Sequence, residues 1–367
     1  MFTINYVYYT IVVVFVALLG LWLFRRLGWL DRPGWDRIPP RLFRVPNFQG
    51  IVMVIGIWVG MALFFPSLFE DSQIFLLLIF ASGYALFNLL NDILDLKTKM
   101  LGMPARFRLL IQFLIVWAYI YFSGIYTNIN LFDTKLSHIF WFVILLFWIV
   151  GFINAINFFD GVHAMASGVS SIGFVSIFLI IQFVVLIVYQ DSITSNEYLL
   201  LNDIKIFSLV MGISALIYCL VEYRPHGVIR DVGFSFIWFV LAVLAMLGWA
   251  KIGTILVVLS LPIFDSIWVF LNRIFVMKKN PMKWDYTHLH HRLMTLGWTR
   301  SEIRVVVWVY TIFMTVLMLL FYNNTIGKII VFSMVFVIFF ATHVYLYRYK
   351  KLPFELLKRE KTRDVDE

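Results

Sequence analysis

Residues 139–156 read IFWFVILLFWIVGFINAI, and no side chain in the run is charged. A helix that crosses a bilayer needs about 20 mostly apolar residues. The run ends on Asn157-Phe-Phe-Asp160-Gly161-Val-His163, and a second apolar stretch follows over 164–188. Two spans joined by a short polar turn is the reading of this stretch, and the rest of the chain repeats it. Over 367 residues, 62% are hydrophobic and 14% charged. An ordinary globular domain carries about 25% charged residues. So apolar a chain would expose more greasy surface than a soluble monomer tolerates.

Eleven spans are expected, near 6–24, 48–65, 73–90, 109–123, 139–156, 164–188, 205–222, 232–248, 252–271, 305–321 and 329–346. The fold class is all-α, because an open strand in lipid leaves backbone groups unpaired. With no repeat and no low-complexity linker, residues 1–346 form one membrane domain and 347–367 a basic tail. Of 30 Lys and Arg, 26 lie in the connections after odd-numbered spans and in the tail; the others are Lys135, Lys205, Lys251 and Lys328. Positive charge marks the cytoplasmic side, which puts the N-terminus outside and the C-terminus in the cytoplasm. The net charge of +9 then matches anionic membrane lipid, not nucleic acid. The first span lacks a basic lead-in and reads as retained. The single cysteine, Cys219, allows no disulfide within one chain.

Polar chemistry gathers in the connections assigned to the cytoplasm. Asp92 and Asp95 share a helix face at a C-terminus whose dipole disfavours acids. A metal, a cationic partner, or capping contacts with Lys97 and Lys99 would relieve that. Asn154, Asn157 and Asp160 combine amides and a carboxylate, which suit a nucleobase or ribose, or simply a polar turn. Arg224 and Arg230 could grip a diphosphate, and Asp231 could cap a helix or hold Mg²⁺. Asp265 lies inside an apolar run, where an acid is functional by default; a pair with Arg273 is the alternative. Pro262 breaks the helix near it. His288, His290, His291 and Arg292 suit phosphate oxygens, with zinc as the weaker alternative for lack of ligand spacing.

In order and spacing, from about residue 25 to 300, these clusters resemble the polyprenyl-phosphate N-acetylhexosamine-1-phosphate transferase family. Asn91-Asp92-Ile-Leu-Asp95-Leu is similar to D-D-x-x-D-L, and Asn154-Ala-Ile-Asn157-Phe-Phe-Asp160-Gly161 matches N-x-x-N-F-x-D-G. Asp231-Val-Gly233 resembles the core of G-D-x-G-S, and Pro262-Ile-Phe-Asp265-Ser266 resembles P-x-x-D-T. His288-Leu-His290-His291-Arg292-Leu looks like H-L-H-H-R-L, the sugar-transferring branch; Asp31-Arg-Pro33 and Val45-Pro46 echo the first inner loop. Asn91 replaces the first Asp, His163 and Ala164 replace the second Asp and Gly of D-G-x-D-G, and Arg230 and Phe234 flank Asp231 in place of Gly and Ser.

The resemblance implies transfer of a sugar-1-phosphate from a UDP-sugar to polyprenyl (undecaprenyl) phosphate, with release of UMP, at the cytoplasmic face of the inner (plasma) membrane. It assigns Mg²⁺ (or Mn²⁺) to Asp231, with Asp92 as second ligand or as the group that orients the lipid phosphate. Asn154, Asn157 and Asp160 would face the uridine, and His288, His290, His291, Arg224 and Arg292 the diphosphate, with Asp95 and Asp265 as supporting acids. An inactive lipid-binding scaffold and an anionic-lipid transporter are the other readings, and an oligomer stays open.

Overall fold

The structure is a computed structural model. It describes residues 2–28, 30–31, 45–46, 48–98, 103–125, 138–186, 194–223, 226–247, 251–278, 287–321 and 324–348. Arg224, Arg32-Pro33 and residues 349–367 of the tail lie outside this set, as does the side chain of Asp95. The helices in chain order are α1 (Phe2–Arg26), α2 (Gln49–Phe64), α3 (Ser72–Thr98), α4 (Ala105–Ser123), α5 (His138–Phe159), α6 (Met165–Ile180) and α7 (Ser195–Tyr223). Then come α8 (Arg230–Leu247), α9 (Lys251–Val258), α10 (Ser260–Leu271), α11 (Leu289–Thr295), α12 (Arg300–Leu320) and α13 (Thr325–Arg348). One small departure from all-α is an antiparallel pair of two-residue strands, Leu30–Asp31 with Val45–Pro46, between α1 and α2.

Over their described residues the expected spans fall largely on helix. Among the described residues nine helices are long and apolar enough to cross a membrane, so the chain is a multi-pass membrane protein. Two expected spans are shorter or divided. The second, α2, has 16 residues, about 24 Å at 1.5 Å per residue against a hydrocarbon core of roughly 30 Å. The ninth breaks at Leu259 into α9 and α10. Pro262 explains the position: its ring clashes with the carbonyl four residues back, that of Val258, the last residue of α9. Three residues into α10, Pro262 has no helical bond to lose.

α8 is the centre of the bundle. Trp238, Phe236 and Phe239 on it are fully buried, and it packs on α2, α3, α5, α6, α7 and α9. A helix that is apolar all round belongs in the interior. α1, by contrast, turns Ile4, Ile11, Phe15, Leu18 and Trp22 outward, where lipid replaces water as solvent. Polar groups tie the helices together: Tyr9 Oη to Ser214 Oγ at 2.6 Å, Trp238 Nε1 to Ser170 Oγ at 3.1 Å and Trp148 Nε1 to the Ala242 carbonyl at 3.0 Å. Such bonds contribute about 0.6 kcal/mol each in a membrane.

Candidate active site

The site grows from helix ends. At the end of α3, Asn91 and Asp92 are buried. Asn91 Oδ1 accepts the Met103 N–H at 2.8 Å, which fixes the start of the chain leading into α4. Asp92 Oδ1 lies 3.9 Å from Arg230 Nη1. Its Oδ2 is buried and has no hydrogen-bond partner among the described residues. A buried acceptor left open in this way costs on the order of 1–3 kcal/mol.

Arg230 opens α8 with φ 50°, a left-handed conformation. Asp231 follows, and its Oδ2 meets Arg108 Nη2 of α4 at 3.2 Å. Both side chains of that pair are about one-third exposed, so the pair is weak, roughly 0–1 kcal/mol, and either partner can be taken by a ligand. Two carboxylates and two guanidinium groups from α3, α4 and α8 thus face one another.

One turn along α4 from Arg108, Gln112 Oε1 accepts Asn154 Nδ2 of α5 at 2.9 Å. The same amide nitrogen donates to the Val150 carbonyl at 2.7 Å. Asn154, half-buried like Asn157 one turn further on, therefore spends its donors inside the protein. The next carbonyl, Ala155, accepts Ser266 Oγ of α10 at 2.7 Å.

Beside Ser266, Asp265 is fully buried. Its Oδ2 receives His288 Nδ1 at 2.8 Å and its Oδ1 receives the Leu289 N–H at 2.8 Å. Both hydrogen bonds to this intramembrane acid come from the histidine segment. That segment enters α11, and its rings pack on the end of α5: Phe158 against His288 at 5.9 Å, Phe159 against His290 at 6.3 Å. Gly161 lies so close that a Cβ there would overlap the His290 imidazole. His290 and His291 lie 4.1 Å apart between ring centroids.

All five polar clusters of the sequence are thereby joined by an unbroken run of contacts at one end of the bundle; Arg224 and the Asp95 side chain alone of the expected residues are not placed. Among the described residues no three His, Cys, Asp or Glu side chains converge as a metal-ligand set. Two carboxylates plus substrate oxygens is a Mg²⁺ pattern that needs no such set.

Several residues of this region escaped the sequence reading. Arg108 and Gln112 link two clusters. Glu222, buried at the end of α7, accepts Ser167 Oγ at 2.9 Å and the Ile229 N–H at 3.3 Å, which shapes the approach to Arg230. Arg304 of α12 lies over the Tyr223 ring at 3.9 Å and donates to the His163 carbonyl at 3.1 Å. The available signal was polarity within or at the border of an apolar run.

Fold and site together define a multi-pass membrane protein with a phosphate-suited site at one end of its helices. The glycosyl transferase family 4 model matches residues 73–271, and the chain belongs to that family. A probable undecaprenyl-phosphate N-acetylglucosaminyl 1-phosphate transferase of Bacillus subtilis is 25% identical over 284 residues, 74% of this chain and 71% of the relative. A phospho-N-acetylmuramoyl-pentapeptide-transferase of Bacillus licheniformis is 25% identical over 282 residues, 74% and 82%. One of Caldicellulosiruptor bescii is 27% identical over 287 residues, 75% and 82%.

Proposed function

We propose that the chain transfers an N-acetylhexosamine-1-phosphate from a UDP-sugar to polyprenyl phosphate, releasing UMP. The observation that carries this reading is the convergence of acids, amides, arginines and histidines from α3, α4, α5, α8, α10 and α11 on one place. It is supported by a relative named as a probable undecaprenyl-phosphate N-acetylglucosaminyl 1-phosphate transferase and by others named as phospho-N-acetylmuramoyl-pentapeptide-transferases. The pattern at His288–Arg292 favours the sugar-transferring branch over the peptidoglycan one.

In the reaction a lipid phosphate oxygen attacks the β-phosphorus of the UDP-sugar. The bond from that phosphorus to the bridging oxygen breaks, and UMP leaves with the electron pair. The nucleophile needs no base, since the second pKa of a phosphate monoester is about 6. The difficulty is repulsion between two anions, which preorganised positive charge offsets. Arg108, Arg230 and Arg292, with His288, His290 and His291, supply that charge. Asn157 in the last turn of α5 and Asp160 just beyond it, both half-buried, face the uridine. Asp231 and Asp92 are the residues that would hold Mg²⁺ or Mn²⁺, since the open Oδ2 of Asp92 and the weakly engaged Asp231 are carboxylate oxygens ready for a hard cation. Bound there, the ion would neutralise diphosphate charge. The site lies on the cytoplasmic face of the inner membrane in an eleven-span topology with the N-terminus outside; the 26-to-4 charge partition supports this.

The test is transfer of label from a UDP-sugar carrying radioactive phosphorus at the β position into an organic-soluble product. The purified chain is supplied with polyprenyl phosphate and Mg²⁺. Labelled lipid and stoichiometric UMP are expected. A folded protein that binds the lipid and transfers no label would be a scaffold; one that moves lipid across vesicles without UMP release would be a transporter.

A further inference from the structure

The last helix makes a contact that the proposed reaction does not use. α13 is largely turned outward: Ile326, Ile329, Val337 and Phe340 are exposed. Among its described side chains only Val335 and His343 are buried, and His343 is fully so. A polar ring inside a bilayer-spanning helix is costly unless it has partners. His343 Nδ1 donates to the Phe339 carbonyl one turn back, at 3.1 Å. Its other nitrogen, Nε2, has no hydrogen-bond partner among the described residues and lies 3.6 Å from Asp265 Oδ1, longer than a hydrogen bond but an ion-pair distance when the ring carries its second proton. The ring packs on Phe339 at 4.0 Å and Trp268 at 5.3 Å, which hold it in that orientation.

Asp265 is the acid that grips His288 through Nδ1 and Leu289 through its N–H. A carboxylate on Nδ1 sets an imidazole's tautomer and direction and presents Nε2 to the opposite side, where it can meet a phosphate oxygen. The chain of contacts therefore runs from α13 through α10 to the histidine segment.

We propose that His343 is a positioning residue: from the last helix it holds the Asp265 carboxylate in place, and so fixes the aim of His288 at the anionic substrate. This rests on the transfer reading for its kinetic arm. His343 lies beyond residues 73–271, which the family model matches.

The experiment uses the full-length protein in lipid. His343→Phe keeps the ring packing and removes the nitrogens; His343→Leu removes them with a different shape. Both should lower kcat/KM for the UDP-sugar about tenfold, the scale of losing a partner behind a site residue, and leave KM for polyprenyl phosphate unchanged. His343→Gln, which keeps a donor, should stay within about threefold of the parent. In an Asp265→Asn background His343→Phe should cost nothing further, because residues acting through one another are not additive. Full additivity, or unchanged kinetics in both His343→Phe and His343→Leu, overturns the proposal. A second readout needs no turnover. The Nδ1–H proton of His288, assigned by its loss in His288→Asn, should shift in the nitrogen-15 spectrum of His343→Phe. An unmoved signal overturns the positioning role, whereas a parent protein with no transferase activity but a shifted signal overturns only the transfer reading.

Discussion

Arg230 and Ala164 occupy positions where the resemblance has glycine, and both keep a left-handed backbone, at φ 50° and φ 63°. The local shape has outlasted the residue that adopts it freely. Such a conformation costs a non-glycine residue roughly 1–2 kcal/mol. Arg230 returns something for that cost, since its guanidinium faces Asp92. Arg230→Gly should therefore raise stability by about 1 kcal/mol in thermal melts while lowering UMP release about tenfold, the value of one modest charge contact in a catalytic site. A fall in both would mean that the strain is not stored there. Gly161 is the opposite case, with its hydrogen atom in the only space left by the His290 imidazole. Gly161→Ala should cost about 100-fold in turnover, the scale of an ångström-sized displacement of a positioned group, with the fold retained by circular dichroism.

At the scale of elements, the site is a meeting of helix ends. The start of α8 bears Asp231 where the helix dipole favours an acid, and the pair with Arg108 is weak and partly exposed. Asp231→Asn should thus leave melting nearly unchanged and cut turnover at least about 100-fold, as for loss of a key electrostatic group. Normal turnover in that variant would move the cation to Asp92 and Asp265. The end of α3 is more constrained. Asn91 contributes a carbonyl oxygen to Met103, and a carboxylate accepts the same bond. Asn91→Asp should keep activity within roughly tenfold, whereas Asp92→Asn should abolish it in the same assay.

For the whole molecule the proposed orientation rests on the distribution of positive charge. In a background lacking Cys219, cysteines introduced at 129 and 195 should react with an impermeant reagent added to intact cells, and those at 100 and 280 should not. Reaction at 280 would put the connection to the histidine segment outside and remove the cytoplasmic site.

The apolar runs by themselves determined that this is a multi-pass helical protein, because backbone groups in lipid must pair within their own helix and nothing else satisfies twenty apolar residues. They also determined the break near Pro262, which is local sterics, and the candidate residues, since acids, amides and histidines stand out against such a background. Periodicity could not say which polar residue meets which. That Asp265 takes His288 and Leu289, that Asn154 is spent on Gln112, and that His343 reaches in from the last helix are contacts between residues tens of positions apart. They depend on how helices that are apolar on every face rotate against one another, and with no polar face to orient them, that rotation is set by packing in the assembled bundle.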